Sequence, residues 1–354
     1  MTETVEVKEV TDLLHKTTAT LLLGFVVVLY LLIPGIPGRA ADTLPAELSD
    51  TAFWQLITDF SEPSGSYPFQ VVTSNELSYQ LILPELTKSV APGGVYLGVG
   101  PEQNFTYIAA LRPKIAFIID TRRDMMLEHL MYKAIFEMSA DRVEFVANLF
   151  SRKRPGQLTS NSSVGDIFKA YAAAKAEPEL AEEHLKDIMA RLRTTHQFAL
   201  SNDDERRLRT IYLLFLREGV TDFYSSIESP GYTSLMTATD ADGRNWCYLA
   251  SNENYDRVRA MHRKNLIVPL VGDFAGAKAM RMTGQYLRDH GAVVSVFYTS
   301  NVEDYIQQVW GTFARNVASL PLDQSSTFVR ISLRTRSFQP WLESMADFVR
   351  QNIR

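Results

Sequence analysis

Gly98, Gly100 and Asp120 are the residues whose types and spacing point most directly to chemistry. In Gly98-Val99-Gly100-Pro101 the glycines permit a tight turn and close approach of the backbone to a ligand. An acid about 20 residues beyond such a turn is where a Rossmann-like sheet contacts a ribose hydroxyl, which assigns that role to Asp120. Gln103 stands where a G-x-G-x-x-G dinucleotide fingerprint has its third glycine, and Glu102 puts a carboxylate where the next helix N-terminus would draw a phosphate. Like charges repel, so a pyrophosphate cofactor is disfavoured and an adenosyl ligand without phosphates, such as S-adenosylmethionine, fits better. Asn104 and the loop amides are expected to take a carboxylate or amide, and Asp273 to hydrogen-bond an amine or act as a base. Two plainer readings compete: a tight turn in a fold that binds nothing, and an Asp273 that only caps the next helix.

The elements that would hold these residues follow from the surrounding pattern. Val95 to Val99 is short, apolar and β-prone, a helix carrying Phe105, Ile108, Ala109 and Leu111 follows Pro101, and Ile115 to Ile119 is a second buried-type strand. Upstream, Thr73 to Glu76 has the pattern of a capping box for a helix through Leu86, with Pro84 bending or ending it. Downstream, Met125 to Met138 shows one apolar stripe (Leu127, Leu130, Met131, Ala134, Ile135, Met138), and Asp141 to Phe150 is expected to be helical behind another capping box. Strands are expected at Leu266 to Val271, Ala292 to Tyr298 and Thr327 to Leu333, a capping box at Ser300 to Glu303, and a terminal helix at Pro340 to Ile353. The expected fold is α/β, a doubly wound, mostly parallel Rossmann-like sheet with a large helical insertion and one N-terminal transmembrane helix. The boundaries are a tail over 1–16, the membrane helix over 17–36, linker and leading helices over 37–90, the first part of the sheet domain over 91–123, the insertion over 124–249, and the second part over 250–354.

Ala19 to Ile33 is apolar apart from Thr20, and with its flanks it reaches the roughly 20 residues a spanning helix needs. The acidic segment before it (Glu3, Glu6, Glu9, Asp12) favours a retained anchor over a signal peptide cleaved near Gly38-Arg39-Ala40. Lys8 and Lys16 before the span against Arg39 after it lean toward a single-pass inner (cytoplasmic) membrane protein with a periplasmic main domain. Such a domain would have no obvious supply of a cytosolic methyl donor. The 354 residues carry a net charge of −5, which argues against nucleic acid as a partner. The six histidines show no metal-ligand spacing, and the single cysteine, Cys247, reads as a packed thiol. No metal is expected. Neither a serine-hydrolase elbow nor a phosphate-binding P-loop is present.

The segment GGVYLGVGPEQNFTYIA with IIDTRR resembles the first two binding elements of class I S-adenosylmethionine-dependent methyltransferases. Over about Thr51 to Arg336, with SNELSYQ, LMYKAIFEMSADR, LIVPLVGDFAGAKAMR and FYTSNVEDYI, the chain is similar to a bacterial family of uncharacterised methyltransferase-like proteins. The resemblance implies a doubly wound sheet in which Gly98, Gly100 and Asp120 match the glycine loop and the ribose acid. It departs from the methyltransferase pattern at Tyr96 and Leu97, where an acid is usual, and at Gly272-Asp273-Phe274, where an Asn/Asp-Pro-Pro-Tyr type motif would stand. The expected function is therefore a non-catalytic accessory or structural subunit of a larger membrane complex, photosynthetic or respiratory, anchored in the lipid bilayer through residues 17–36 and without a cofactor. The alternatives are an active methyltransferase using S-adenosylmethionine and a small-molecule sensor using the same crevice.

Overall fold

In the computed structural model, residues 42–65, 72–219, 231–332 and 338–353 are described. The expected membrane segment, 17–36, lies outside them, and among the described residues no helix is long and apolar enough to cross a membrane.

Six strands form one sheet: β1 (Val95–Gly98), β2 (Ile115–Asp120), β3 (Ile267–Val271), β4 (Val294–Ser300), β5 (Thr327–Arg330) and β6 (Trp341–Ser344), in the order β3-β2-β1-β4-β5-β6. The first five are parallel, and β6 runs antiparallel to β5. Every residue of β1, β2 and β3 is buried, as a parallel sheet covered on both faces requires. Pro269 pairs opposite Ile118 within β3. A residue without an N–H is tolerated there because β3 is an edge strand.

Thirteen α-helices lie among the described residues. One layer contains α1 (Asp50–Phe60), α11 (Ala279–Asp289) and α12 (Trp310–Ala318); another contains α3 (Gln103–Leu111), α4 (Arg123–Met138) and α10 (Asn252–Arg263). Between β2 and β3 the described chain is helical from α4 through α5 (Arg142–Phe150), α6 (Val164–Ala173), α7 (Pro178–Ala190), α8 (Asn202–Glu218) and α9 (Tyr232–Thr237) to α10. Packing of α5, α8 and α10 against α4 explains why that helix, expected to bury one stripe, is buried on all sides from Met125 to Phe136. The buried set includes Glu128, His129 and Lys133.

Three local expectations are corrected. Thr73 to Glu76 does not cap a helix: Leu77–Gln80 is a 3-10 turn, and Pro84 lies in the first turn of α2 (Leu83–Ser89), where its missing N–H is tolerated, rather than at a helix end. Ser300 to Glu303 does not cap one either, because Ser300 takes a left-handed φ of 52° and Glu303 turns to Thr299 and Arg330. The expected terminal helix divides into β6 and α13 (Met345–Asn352), where the Ser344 side chain caps the helix and the four residues before it pair with β5.

Candidate functional site

The strand order reverses between β1 and β4, and in open α/β sheets ligands sit outside the carboxyl ends of the strands at such a point. A cavity of about 300 Å³ opens there. Its wall combines the turn after β1 (Val99 to Pro101 and Gln103), the end of β2 (Ile119 to Arg122), the turn after β3 (Gly272 to Phe274), the segment after β4 (Ser300 to Val302, Tyr305, Ile306) and Ser74 to Glu76.

Of the sequence-predicted residues, the structure brings Gly100, Asp120 and Asp273 together on this wall. It places Gly98, Glu102 and Asn104 beneath the first turn instead. Asn104 is wholly buried: its Nδ2 reaches the carbonyls of Val99 (2.9 Å), Gly100 (3.1 Å) and Pro101 (2.7 Å), while its Oδ1 accepts from the Tyr96 hydroxyl (2.8 Å). This side chain, expected to hold a ligand, is spent on the loop itself. Gly98 leaves room for it, since a Cβ there would overlap Asn104 Oδ1 and the Tyr96 ring. Gly100 has φ +77°, the left-handed region where glycine is at ease, and its carbonyl also accepts from His129 Nε2 at 2.9 Å. Burial pushes the His129 pKa down to about 4, so the ring is neutral.

Glu102 is fully buried, with Oε1 accepting from the Ser74 N–H at 3.2 Å. Burial raises its pKa to about 8 and pushes Glu128 well above the ordinary carboxyl range. At neutral pH Glu102 is largely a protonated acid in the interior, not a charge facing a ligand phosphate. Desolvation has overridden the repulsion expected from its place at the helix start.

Asp120 is buried at the end of β2 and forks onto Arg122: Oδ1 accepts from the Arg122 backbone N–H (2.9 Å) and Nε (3.0 Å), and Oδ2 from the guanidinium NH2 group (3.0 Å). A carboxylate has about four acceptor positions, so three are filled within two residues of sequence. Asp273 Oδ1 accepts from the Ala275 N–H at 2.8 Å, bracing the turn after β3. That turn is tied a second time by Glu62, whose carboxylate accepts from the N–H groups of Asp273 (3.2 Å), Lys278 (2.6 Å) and Ala279 (2.9 Å).

Sequence reasoning missed the most distinctive group of the wall. Glu76 is buried, and the Tyr298 and Ser300 hydroxyls each donate to one of its oxygens. Gln103 Nε2 in turn donates to Tyr298 at 3.1 Å. Burial pushes the Glu76 pKa up to about 7, with the two hydroxyls pulling the other way. In the sequence this acid was hidden inside a good capping pattern. Arg122 had a usable signal, standing two residues after an acid that ends a strand.

A mostly parallel, six-stranded α/β protein with a crevice at its strand-order reversal, consistent with a Rossmann-like fold, is the class these features define. The chain belongs to the family described as a domain of unknown function, DUF7790, whose model matches residues 71–352. No curated protein matches it.

Proposed function

We propose that the protein is a methyltransferase-like, Rossmann-like module that binds a small polar molecule in the β1/β4 crevice and acts as a non-catalytic accessory subunit of a membrane complex, tethered by residues 17–36. The observation that carries this reading is the division of labour around the cavity. The glycine turn and Asp120 converge on one crevice, while Asp120 and Asp273 bind protein groups and Asn104 lies beneath the turn. The wall keeps its shape from internal bonds and presents apolar side chains such as Val99, Ile119, Phe274 and Ile306 beside a few polar groups, an arrangement suited to holding a ligand.

Glu76 favours a second reading, in which S-adenosylmethionine gives its methyl group to an acceptor O–H or N–H. In that reaction the acceptor atom bonds to the methyl carbon, the C–S bond breaks to leave S-adenosylhomocysteine, and the acceptor proton passes to Glu76. A base with a pKa near 7 is well placed for such work.

Calorimetric titration of the full chain with S-adenosylmethionine, followed by assay for S-adenosylhomocysteine, separates the two. The accessory reading expects no product; turnover removes it in favour of the second. In either reading Asp120→Ala weakens an adenosyl ligand by about tenfold or more while circular dichroism stays native. Unchanged affinity would take Asp120 out of the site.

A further inference from the structure

We propose that the ligand of the crevice is a small organic cation, an amine whose ammonium group sits against Glu76 and supplies the counter-charge that carboxylate lacks. The inference rests on the crevice being a ligand site and deepens that reading by naming the chemical class it takes.

Three observations converge on it. Glu76 is on the cavity wall and buried, and among the described residues it forms no ion pair: its oxygens accept from the Tyr298 and Ser300 hydroxyls. Among the titratable groups that feel its charge are the phenols of Tyr96 on β1, Tyr107 on α3 and Tyr298 on β4, none of which can become a cation. The basic residue of the wall, Arg122, is forked onto Asp120, so the pair sums to zero and leaves Glu76 and Asp273 as the excess charge. A buried carboxylate without a counter-charge is costly, and a cationic guest relieves that cost.

The second line of evidence is hydrogen-bonding polarity. Gln103, also on the wall, has its Oε1 buried without a partner among the described residues. Its amide is oriented by the Val99 carbonyl, which can only accept and lies 3.5 Å from Nε2, so the orphan atom is an acceptor. An orphan acceptor and an uncompensated carboxylate both ask for N–H donors. A phosphate, sulfate or carboxylate guest supplies none and adds negative charge beside Glu76.

The test uses matched probes: tyramine against its neutral alcohol counterpart tyrosol, and 5′-amino-5′-deoxyadenosine against adenosine, each titrated into the purified full-length chain in mild detergent. The expected result is that at least one amine binds about tenfold or more tighter than its neutral partner, and that Glu76→Gln removes the preference. A second readout does not depend on that variant folding: amine affinity of the natural protein rises with pH between about 6 and 8, following ionisation of Glu76, while affinity for the neutral partner stays level. Equal binding of amine and neutral partner overturns the cation and leaves the crevice standing. Binding by none of the four probes overturns the cation as well, and if S-adenosylmethionine also fails, the crevice reading falls with it.

Discussion

Two glycine-bearing turns flank the crevice, one after β1 and one after β3, and they are braced by opposite chemistry. Beneath the first, the Asn104 amide nitrogen donates to three backbone carbonyls. Under the second, the Glu62 carboxylate accepts from three backbone N–H groups, two of them at the start of α11, a helix with no acid of its own in its first turn. Each brace depends on a glycine, for a Cβ at Gly98 would overlap Asn104 and one at Gly276 would overlap Glu62. A glycine that admits close approach need not be admitting a ligand. Here the approaching groups are the protein's own, and the second of them occupies the position at a helix N-terminus that would otherwise attract an anion.

Removing the first brace has the largest expected effect. Asn104→Ala deletes a wholly buried side chain and strips the Tyr96 hydroxyl and the loop carbonyls of a partner, while water cannot easily enter. The expected loss is about 4 kcal/mol, read as a lower urea midpoint. A loss below about 1 kcal/mol would mean the turn holds its form without Asn104 and that the two turns are not braced alike.

The same contrast explains what was legible in the sequence. The strands Val95–Gly98, Ile115–Asp120 and Ile267–Val271 were readable because burial on both faces demands unbroken apolar runs, and the turn between the first two was marked by its glycines. The convergence of Gly100, Asp120 and Asp273 followed from the general geometry of parallel sheets. What the amides and carboxylates of Asn104, Glu102 and Glu62 bind was not readable, because a polar residue beside a glycine turn has the same sequence signature whether it faces inward or outward. Glu76 was hidden for a related reason: a Ser/Thr followed three residues later by Glu predicts a cap, and only the tertiary path of the chain carries that acid over the end of β4. Strand β6 escaped because four residues with one half-exposed tryptophan carry too little periodicity to compete with the helix that follows.

Glu76 lies on the wall these turns share and is held by hydroxyls alone, so its effect should appear as pH dependence. Its folded-state pKa of about 7 lies above the ordinary 4.5, so the native state retains a proton that the unfolded chain has lost. Stability from this group is therefore fully present below about 4.5 and is lost as pH rises through about 7. The shift corresponds to about 3 kcal/mol between the two limits. Glu102, raised to about 8, adds a loss of the same sign that begins at the same pH and continues to about 8. Urea denaturation of the ligand-free protein across pH 4 to 9 should show this decline, and Glu76→Gln should make it about half as steep between about 4.5 and 7 while the Glu102 contribution persists to about 8. An unaltered profile in the variant would show that Glu76 ionises as freely in the folded protein as in the unfolded chain.

The smallest effect, and the one that separates the two turns most cleanly, belongs to Glu62. Its carboxylate lies at the surface end of the brace, so Glu62→Ala should cost about 1 to 2 kcal/mol, the loss of a partly exposed helix cap with charge-assisted hydrogen bonds. The more telling measurement is rescue. With the internal carboxylate gone, the N–H groups of Asp273, Lys278 and Ala279 lose their acceptor at the positive end of α11, so millimolar inorganic phosphate should raise the melting temperature of Glu62→Ala while leaving the natural protein unmoved. Asn104→Ala should show no such rescue, because the groups it orphans include carbonyl oxygens, which an anion cannot satisfy. Phosphate stabilising all three proteins equally would mean that Glu62 does not fill an anion position, and the opposition between the two braces would fail on the β3 side.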